Sequence, residues 1–475
     1  MDNWTIQDLK KWDKIIRDKI EEIGVLDCFP QEFEICDYED MIGYMSYSGM
    51  PSHYNHWSYG KEYESTKTKY RLGVTGLPYE MIINSNPSIA YLMKENSLCL
   101  TKLIIAHCYG HNDFFKNNVM FKKTRPEEII DNMKMRANRI RSYIEDPTIG
   151  EEKVEKTIDA CHAIQYQCIR HPDKRQITHE EKKQRLIDDY KRKIKEKKDL
   201  GLSPNLVKEP ELNKYPLEPN ENLLLFIRDN NPFLEDWQKD IMTIIHEEAQ
   251  YFIPQIETKI MNEGWASYWH HRIMKELDLS SGEDIEFGVH HSQVVRPHKG
   301  SLNPYHLGFK IWHDIYKWCE DPTEEHIRRW GEPKMSPMEA FDSIRRSEKD
   351  TSFIRLYLSD QVMFDLKLYE YYYQSNSIFD GEESFKVFGN VANSEESCDS
   401  IRNSLIKGTG MNNMPVIKVE EIDPSNRTML LKHYTDGRTL QTDYAKKTLE
   451  HVSYLWGSNR KVYLEANNEK ISIEE

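Results

Sequence analysis

The chain has 475 residues, with 64 Lys and Arg against 79 Asp and Glu, a formal charge of −15 with histidine neutral. That balance, with a sequence pI near 5.7, argues against nucleic-acid binding, because phosphate backbones are held by clustered cations. A mean hydropathy of −0.75 and 30% charged residues are polar for a globular protein, yet 11% aromatics, including 10 Trp and 27 Tyr, supply the burial area that excludes disorder.

No apolar run approaches the roughly 20 residues needed to span a bilayer; 223–227 and 103–106 are far shorter. Residues 1–23 read as a charged amphipathic helix, without the apolar core and small-residue cleavage site of a secretory signal. Eight cysteines without a CxxC pair fit reduced cytosolic thiols better than a disulfide framework or a Cys-based zinc site. The expectation is a cytoplasmic protein.

From 8 to 141 the pattern predicts mostly helix, with apolar residues at helical spacing in Leu9, Trp12, Ile15, Ile16 and Ile23, and again from Ile129 to Tyr143. Within that span, 43–78 is rich in Tyr, Ser, His and Gly and reads as an irregular aromatic segment. Helix resumes over 151–168. The Lys-rich 171–219, punctuated by Pro204, Pro210, Pro216 and Pro219, reads as a solvated helix and an extended connector. A strong helical pattern over 223–253 is ended by Pro254, and a second helix follows over 257–277. An aromatic helix is expected over 307–318, with helix continuing to 373.

From 384 the texture turns β-rich, in 385–389, 416–421, 429–434 and 461–465, with Asp436-Gly437 as a hairpin signal and a helix over 443–454. The expected fold is therefore mainly α in its N-terminal and central regions, a zincin-like bundle being one form of this, with a small α+β C-terminal domain. The expected division is 1–170, a helical region; 171–220, a charged helix and linker; 221–380, a central helical region; and 381–475, the α+β domain.

His107 and His111 lie four residues apart, so a helix places both imidazoles on one face, about 6 Å apart along the axis. That separation lets two histidines share one metal ion. The spacing is that of HExxH metallopeptidases, but Cys108 stands where their general-base Glu would be, so a base must come from elsewhere. Without a metal the pair reads as two histidines hydrogen-bonded in a polar core. Asp113 is a candidate to orient one of the imidazoles.

A second cluster runs from His246-Glu247-Glu248 to Glu263-Gly264 and His270-His271. Gln250 occupies the position of the second His of an HExxH, and amides are poor zinc ligands. Joining half-sites is the alternative, with His107 and His111 from one helix and Glu263 from another. Gly264 next to it allows close helix packing or substrate approach. His270, seven residues beyond Glu263, lies about 10 Å further along the axis, too far to share an ion with bonds of about 2 Å. It is expected beside the ligands or on substrate. His290, His291 and His298 are expected in a loop that follows the Glu263 helix and closes over the site, and Tyr371 to Tyr373 read as packing. No GxGxxG, P-loop or GxSxG occurs.

The run from Pro254 to His270, which contains Asn262-Glu263-Gly264-Trp265-Ala266-Ser267-Tyr268-Trp269-His270, closely resembles the signature of the stage V sporulation protein R (SpoVR) family. Phe114-Phe115-Lys116-Asn117-Asn118, Asp236-Trp237-Gln238, Asn303-Pro304-Tyr305-His306-Leu307-Gly308 and Tyr454-Leu455-Trp456-Gly457 match further, so the resemblance covers almost the whole chain. It implies a bacterial, spore-forming context and a role in spore cortex (peptidoglycan) formation in the mother cell. It specifies no reaction. His107, His111, Glu263, His270 and His291 fall in the matching regions, and His246 sits less securely in them.

The resulting expectation is a metal-dependent, hydrolase-like protein acting on an amide bond in peptidoglycan or its precursors. Its ligands would be His107, His111, Glu263 and His291 around a divalent metal, zinc or alternatively iron. Glu247 or Glu248 would be the base, with His270 in the catalytic set. Cell-wall precursors or sporulation proteins are the expected partners. The rival is a non-enzymatic scaffold or regulator of cortex assembly with a structural polar or metal site.

Overall fold

The computed structural model describes residues 4–72, 80–170, 177–203, 207–298, 301–379, 382–457 and 460–472, and the side chains of all of these except 371–388. The reading of Tyr371 to Tyr373 as packing falls outside the described side chains. The chain is mainly α, with a small α+β C-terminal region, and it forms two compact units, 1–138 with 251–413 and 139–250 with 414–475. No helix is long and apolar enough to cross a membrane among the described residues, and no disulfide joins the eight cysteines.

The first unit is organised around the Leu98–Asn117 helix, which is buried along nearly its whole circumference. A helix buried on all sides needs partners for every polar group it carries. Lys102 pairs with Glu283 and lies 3.5 Å above the Trp12 ring. Asn112 accepts from Phe29 N at 2.7 Å and donates to Phe29 O at 3.0 Å. Ser97 caps the first turn, and Asn118 ends the helix by donating to the carbonyls of Arg345 and Glu348. Around it pack the helices Ile6–Ile23, Lys259–Glu276, Ser281–Val294 and Pro337–Ser347, and Pro304–Glu320 packs on Lys259–Glu276 in turn.

A three-stranded sheet, β1 (Gln31–Cys36), β2 (Glu80–Ile83) and β3 (Ser88–Met93), has the order β1-β3-β2, with β1 parallel and β2 antiparallel to β3. A hairpin, β4 (Tyr369–Phe379) and β5 (Glu382–Val391), completes the unit's strands.

In the second unit, β6 (Ile417–Ile422), β7 (Met429–His433), β8 (Val462–Ala466) and β9 (Glu469–Ser472) pair in sequence order, and the Thr442–Trp456 helix connects the parallel strands β7 and β8. Asp436-Gly437 therefore lies in a strand-to-helix connection, where the sequence suggested a hairpin. The family-like motif at 454–457 is structural here: Trp456 Nε1 donates to Arg427 O at 2.9 Å, and Asn231 Nδ2 donates to Leu455 O at 2.9 Å.

Several local expectations are corrected. The aromatic segment is helical over Tyr38–Ser46 and Trp57–Arg71, started by the side chains of Asp37 and His56. Pro254 lies inside the Asp236–Glu257 helix. Its lost donor does not stop the chain there, and Thr258 Oγ1 bonds back to the Pro254 carbonyl at 2.7 Å. His290 and His291 stand on a helix, nucleated by a Ser280–Glu283 capping box. The stretch from Tyr369 that periodicity assigned to helix is strand β4.

Candidate metal centre

Two close helix crossings build the site. A Cβ placed on Gly264 would lie 2.3 Å from the Gly308 carbonyl carbon, and one on Gly308 would lie 2.1 Å from Ile260 O. Only glycine fits at either position, so the Lys259–Glu276 and Pro304–Glu320 helices meet backbone to backbone. Gly110 allows the same on the other side, where a Cβ would lie 2.7 Å from Ala266 Cα. Gly264 thus serves helix packing.

The chain N-terminal to these contacts is held equally firmly. Asp350, buried, accepts Ile260 N at 2.9 Å and Met261 N at 2.8 Å at the start of the Lys259–Glu276 helix. Asn303 caps the Pro304–Glu320 helix by accepting Tyr305 N, while its amide donates to Val294 O and Arg296 O.

These crossings bring His107 and His111 opposite Glu263. Their rings lie 4.6 Å apart, centroid to centroid. Glu263 Oε2 is 3.3 Å from His111 Nε2 and 3.9 Å from His107 Nε2. A fourth group, Glu80 at the start of β2, places Oε1 3.5 Å from His107 Nε2. One ligand atom from each of Glu80, His107, His111 and Glu263 falls within 4.8 Å of all the others. Tyr305 covers the group, its ring stacked at 6.1 Å on His107.

The other faces of the imidazoles fix which nitrogen points inward. His111 Nδ1 contacts Asn262 Oδ1 at 2.9 Å, and an amide oxygen only accepts, so His111 Nδ1 carries hydrogen. His107 Nδ1 lies 2.8 Å from His270 Nδ1, and His270 Nε2 lies 2.8 Å from His291 Nδ1. With His107 donating, the three rings form one hydrogen-bonded chain running outward. Burial, with the neighbouring imidazoles His107 and His291 adding to it, drives the His270 pKa well below its usual value. Burial and the adjacent His271 bring His291 down to about 4.

Neutral rings in this arrangement would aim two lone pairs at two carboxylates, with the Tyr305 hydroxyl as the donor that reaches Glu263. His107 Nε2 and Glu263 Oε2 are buried and have no hydrogen-bond partner. A cation at the centre would satisfy all four groups. Without one, a proton must serve. Burial works against a charged His111, yet the facing Glu263 carboxylate outweighs this and raises its pKa. Burial likewise opposes an ionised Glu263, but His107 and His111 outweigh it and hold the carboxyl well below the usual carboxylate range.

Of the residues expected from sequence, the structure brings together His107, His111 and Glu263, and sets His270 directly behind His107. It does not bring His291 to them: that ring stands behind His270, two imidazoles from the centre. Glu247 and Glu248 lie in the second unit, Glu247 exposed and Glu248 buried.

Asp113, a candidate to orient an imidazole, points elsewhere. It sits two residues past His111, about 200° around the helix. There it accepts from Asp27 N at 2.8 Å, from Trp265 Nε1 at 2.9 Å and from Arg345. Sequence reasoning missed Glu80, whose place depends on β2 pairing with β3, and Tyr305, whose motif was visible but not its direction.

The family model described as SpoVR like protein matches residues 3–414, and that of the SpoVR-like C-terminal domain matches 415–469. An uncharacterized protein of Escherichia coli (strain K12), YcgB, is 34% identical over 490 residues, covering 96% of this chain and 91% of its own. No solved structure matches. The chain belongs to the SpoVR-like family.

Proposed function

We propose that the protein is a metal-dependent hydrolase of sporulation, acting on an amide bond of peptidoglycan or its precursors during spore cortex formation. Family membership supports the sporulation role. The chemistry rests on one observation, the convergence of four acceptors with two of them buried and unpartnered. His107, His111 and Glu263 would hold a divalent metal, zinc or iron, and leave a position open, as catalytic sites with three protein ligands do.

When bound, such an ion acidifies water and polarises a carbonyl. Glu80 is then the base in place of Glu247 or Glu248, its carboxylate beside His107 Nε2 positioned to take a proton from water and return it to the leaving amine. His270 keeps the hydrogen of His107 on Nδ1, and Asn262 does the same for His111.

Elemental analysis of protein purified without a metal column should find about one zinc or iron per chain. The metal should be lost in His107→Ala and Glu263→Ala with the circular dichroism spectrum intact. Absence of stoichiometric metal, after reloading, would sink this reading.

The same cluster favours the scaffold reading in one respect: with Glu80 as fourth ligand the site is closed, as structural zinc sites are. Glu80→Gln separates the two. As a base, its loss leaves metal content unchanged and abolishes spore resistance in a complementation assay. As a ligand, its loss weakens metal binding by about 10-fold or more.

A further inference from the structure

A second site lies in the other unit, where the end of the Glu151–Ile164 helix, the Thr442–Trp456 helix and the β6 to β8 face enclose a cavity of about 360 Å³. Its floor is formed by Ile164, Leu223, Leu431, Leu449, Val452 and Leu464, all at most 2% exposed. Protein interiors rarely leave voids larger than a water molecule, whereas small-molecule sites begin at about 300 Å³. At ~30 Å³ for each water-sized unit, this cavity takes about a dozen non-hydrogen atoms.

The walls define the chemistry of the occupant. In a chain with 30% charged residues, none of the described lining residues is Asp, Glu, Lys or Arg. A phosphate, carboxylate or ammonium would lose its hydration without a fixed counter-charge in return, the imidazole of His162 in the last turn of the Glu151–Ile164 helix being the one basic side chain on the wall. Polar groups gather at the mouth, on the solvent side, where Gln441, Tyr444 and Thr448 line the rim and Gln441 makes no side-chain cap to its own helix. They offer neutral donors and acceptors.

We infer that this cavity binds an uncharged amphiphile of about a dozen heavy atoms, its apolar body on the Leu449–Leu464 floor and a neutral hydroxyl, amide or ester at the Gln441 rim. The site is independent of the metal centre, and the inference stands or falls without it.

The test uses the full chain and the neutral fluorophore 1-naphthol. Saturable binding at one per chain is expected, displaced by 1-octanol and at least tenfold less well by octanoate or octylammonium. Thr448→Trp fills the rim from the exposed side of its helix, and Ala163→Trp does so from the facing wall. Each variant that keeps the wild-type circular dichroism spectrum should weaken the probe at least tenfold. No saturable binding, or binding untouched by both tryptophans, overturns the site. Equal competition by octanoate overturns the ligand class.

Discussion

Gly308→Ala should destabilise the first unit by ~3 kcal/mol or more and, in the same variant, lower the metal content of the protein. The new methyl would sit 2.1 Å from Ile260 O and under 3 Å from Gly264 Cα, both backbone atoms that no rotamer change can move aside. The helices must separate, and overpacking a tight core costs about 1–3 kcal/mol even where side chains can yield. Here they cannot, which places the effect at or above the top of that range. The melting temperature should fall by roughly 5 °C or more. Separation also withdraws Tyr305, three residues before Gly308, from His107 and tilts Glu263 away from His111. Thermal unfolding and elemental analysis read the two effects separately, and a wild-type melting temperature would show that the helices do not touch as described.

The second large effect concerns the buried ion pair of Arg345 and Asp113. Arg345 and Asp113 are both fully buried, and the Asp113 carboxylate also takes the Trp265 indole and the Asp27 amide. Arg345→Met leaves a carboxylate in the core without its counter-charge and should cost about 3–5 kcal/mol. Asp113→Asn leaves the guanidinium stranded and should cost a similar amount, since Asp342 meets it only from the partly exposed side. Combining the two removes both charges, so the double variant should be more stable than the sum of the singles by ~1–3 kcal/mol. Denaturant unfolding of the four proteins measures that coupling. Additive losses, or singles within about 0.5 kcal/mol of wild type, would mean that the pair is not a closed unit.

These residues show what a one-dimensional reading could and could not find. The pairing of His107 with His111 follows from the helical period alone, and the helical rise was enough to keep His270 apart from Glu263. The helix carrying His291 was missed because Gly282 and Gly288 weaken its apolar signal, while its stability comes from the Ser280 cap and the Lys102–Glu283 pair, the latter a long-range contact. Glu80 is one carboxylate among 79 acidic residues, and nothing local distinguishes it. Its neighbour is chosen by strand register, with Glu80 opposite Leu92, a few residues before the His107 helix begins. The need for glycine at 308 was equally hidden, since its reason lies on another helix.

The centre draws Glu80, His107 and His111 from one stretch of chain and Glu263, His270 and Tyr305 from another, with 139–250 built into a different unit between them. During synthesis at about 5–20 residues per second, the two histidines leave the ribosome roughly 10–30 s before Glu263 does. Throughout that interval the Leu98–Asn117 helix, destined for burial on every side, has no Gly264 or Trp265 to pack against. A nascent chain stalled before residue 260 would present an apolar helix whose two imidazoles lack the Glu263 carboxylate, a target for chaperones. The donor set of Glu80, His107, His111 and Glu263 is therefore complete only once the second stretch has been synthesised.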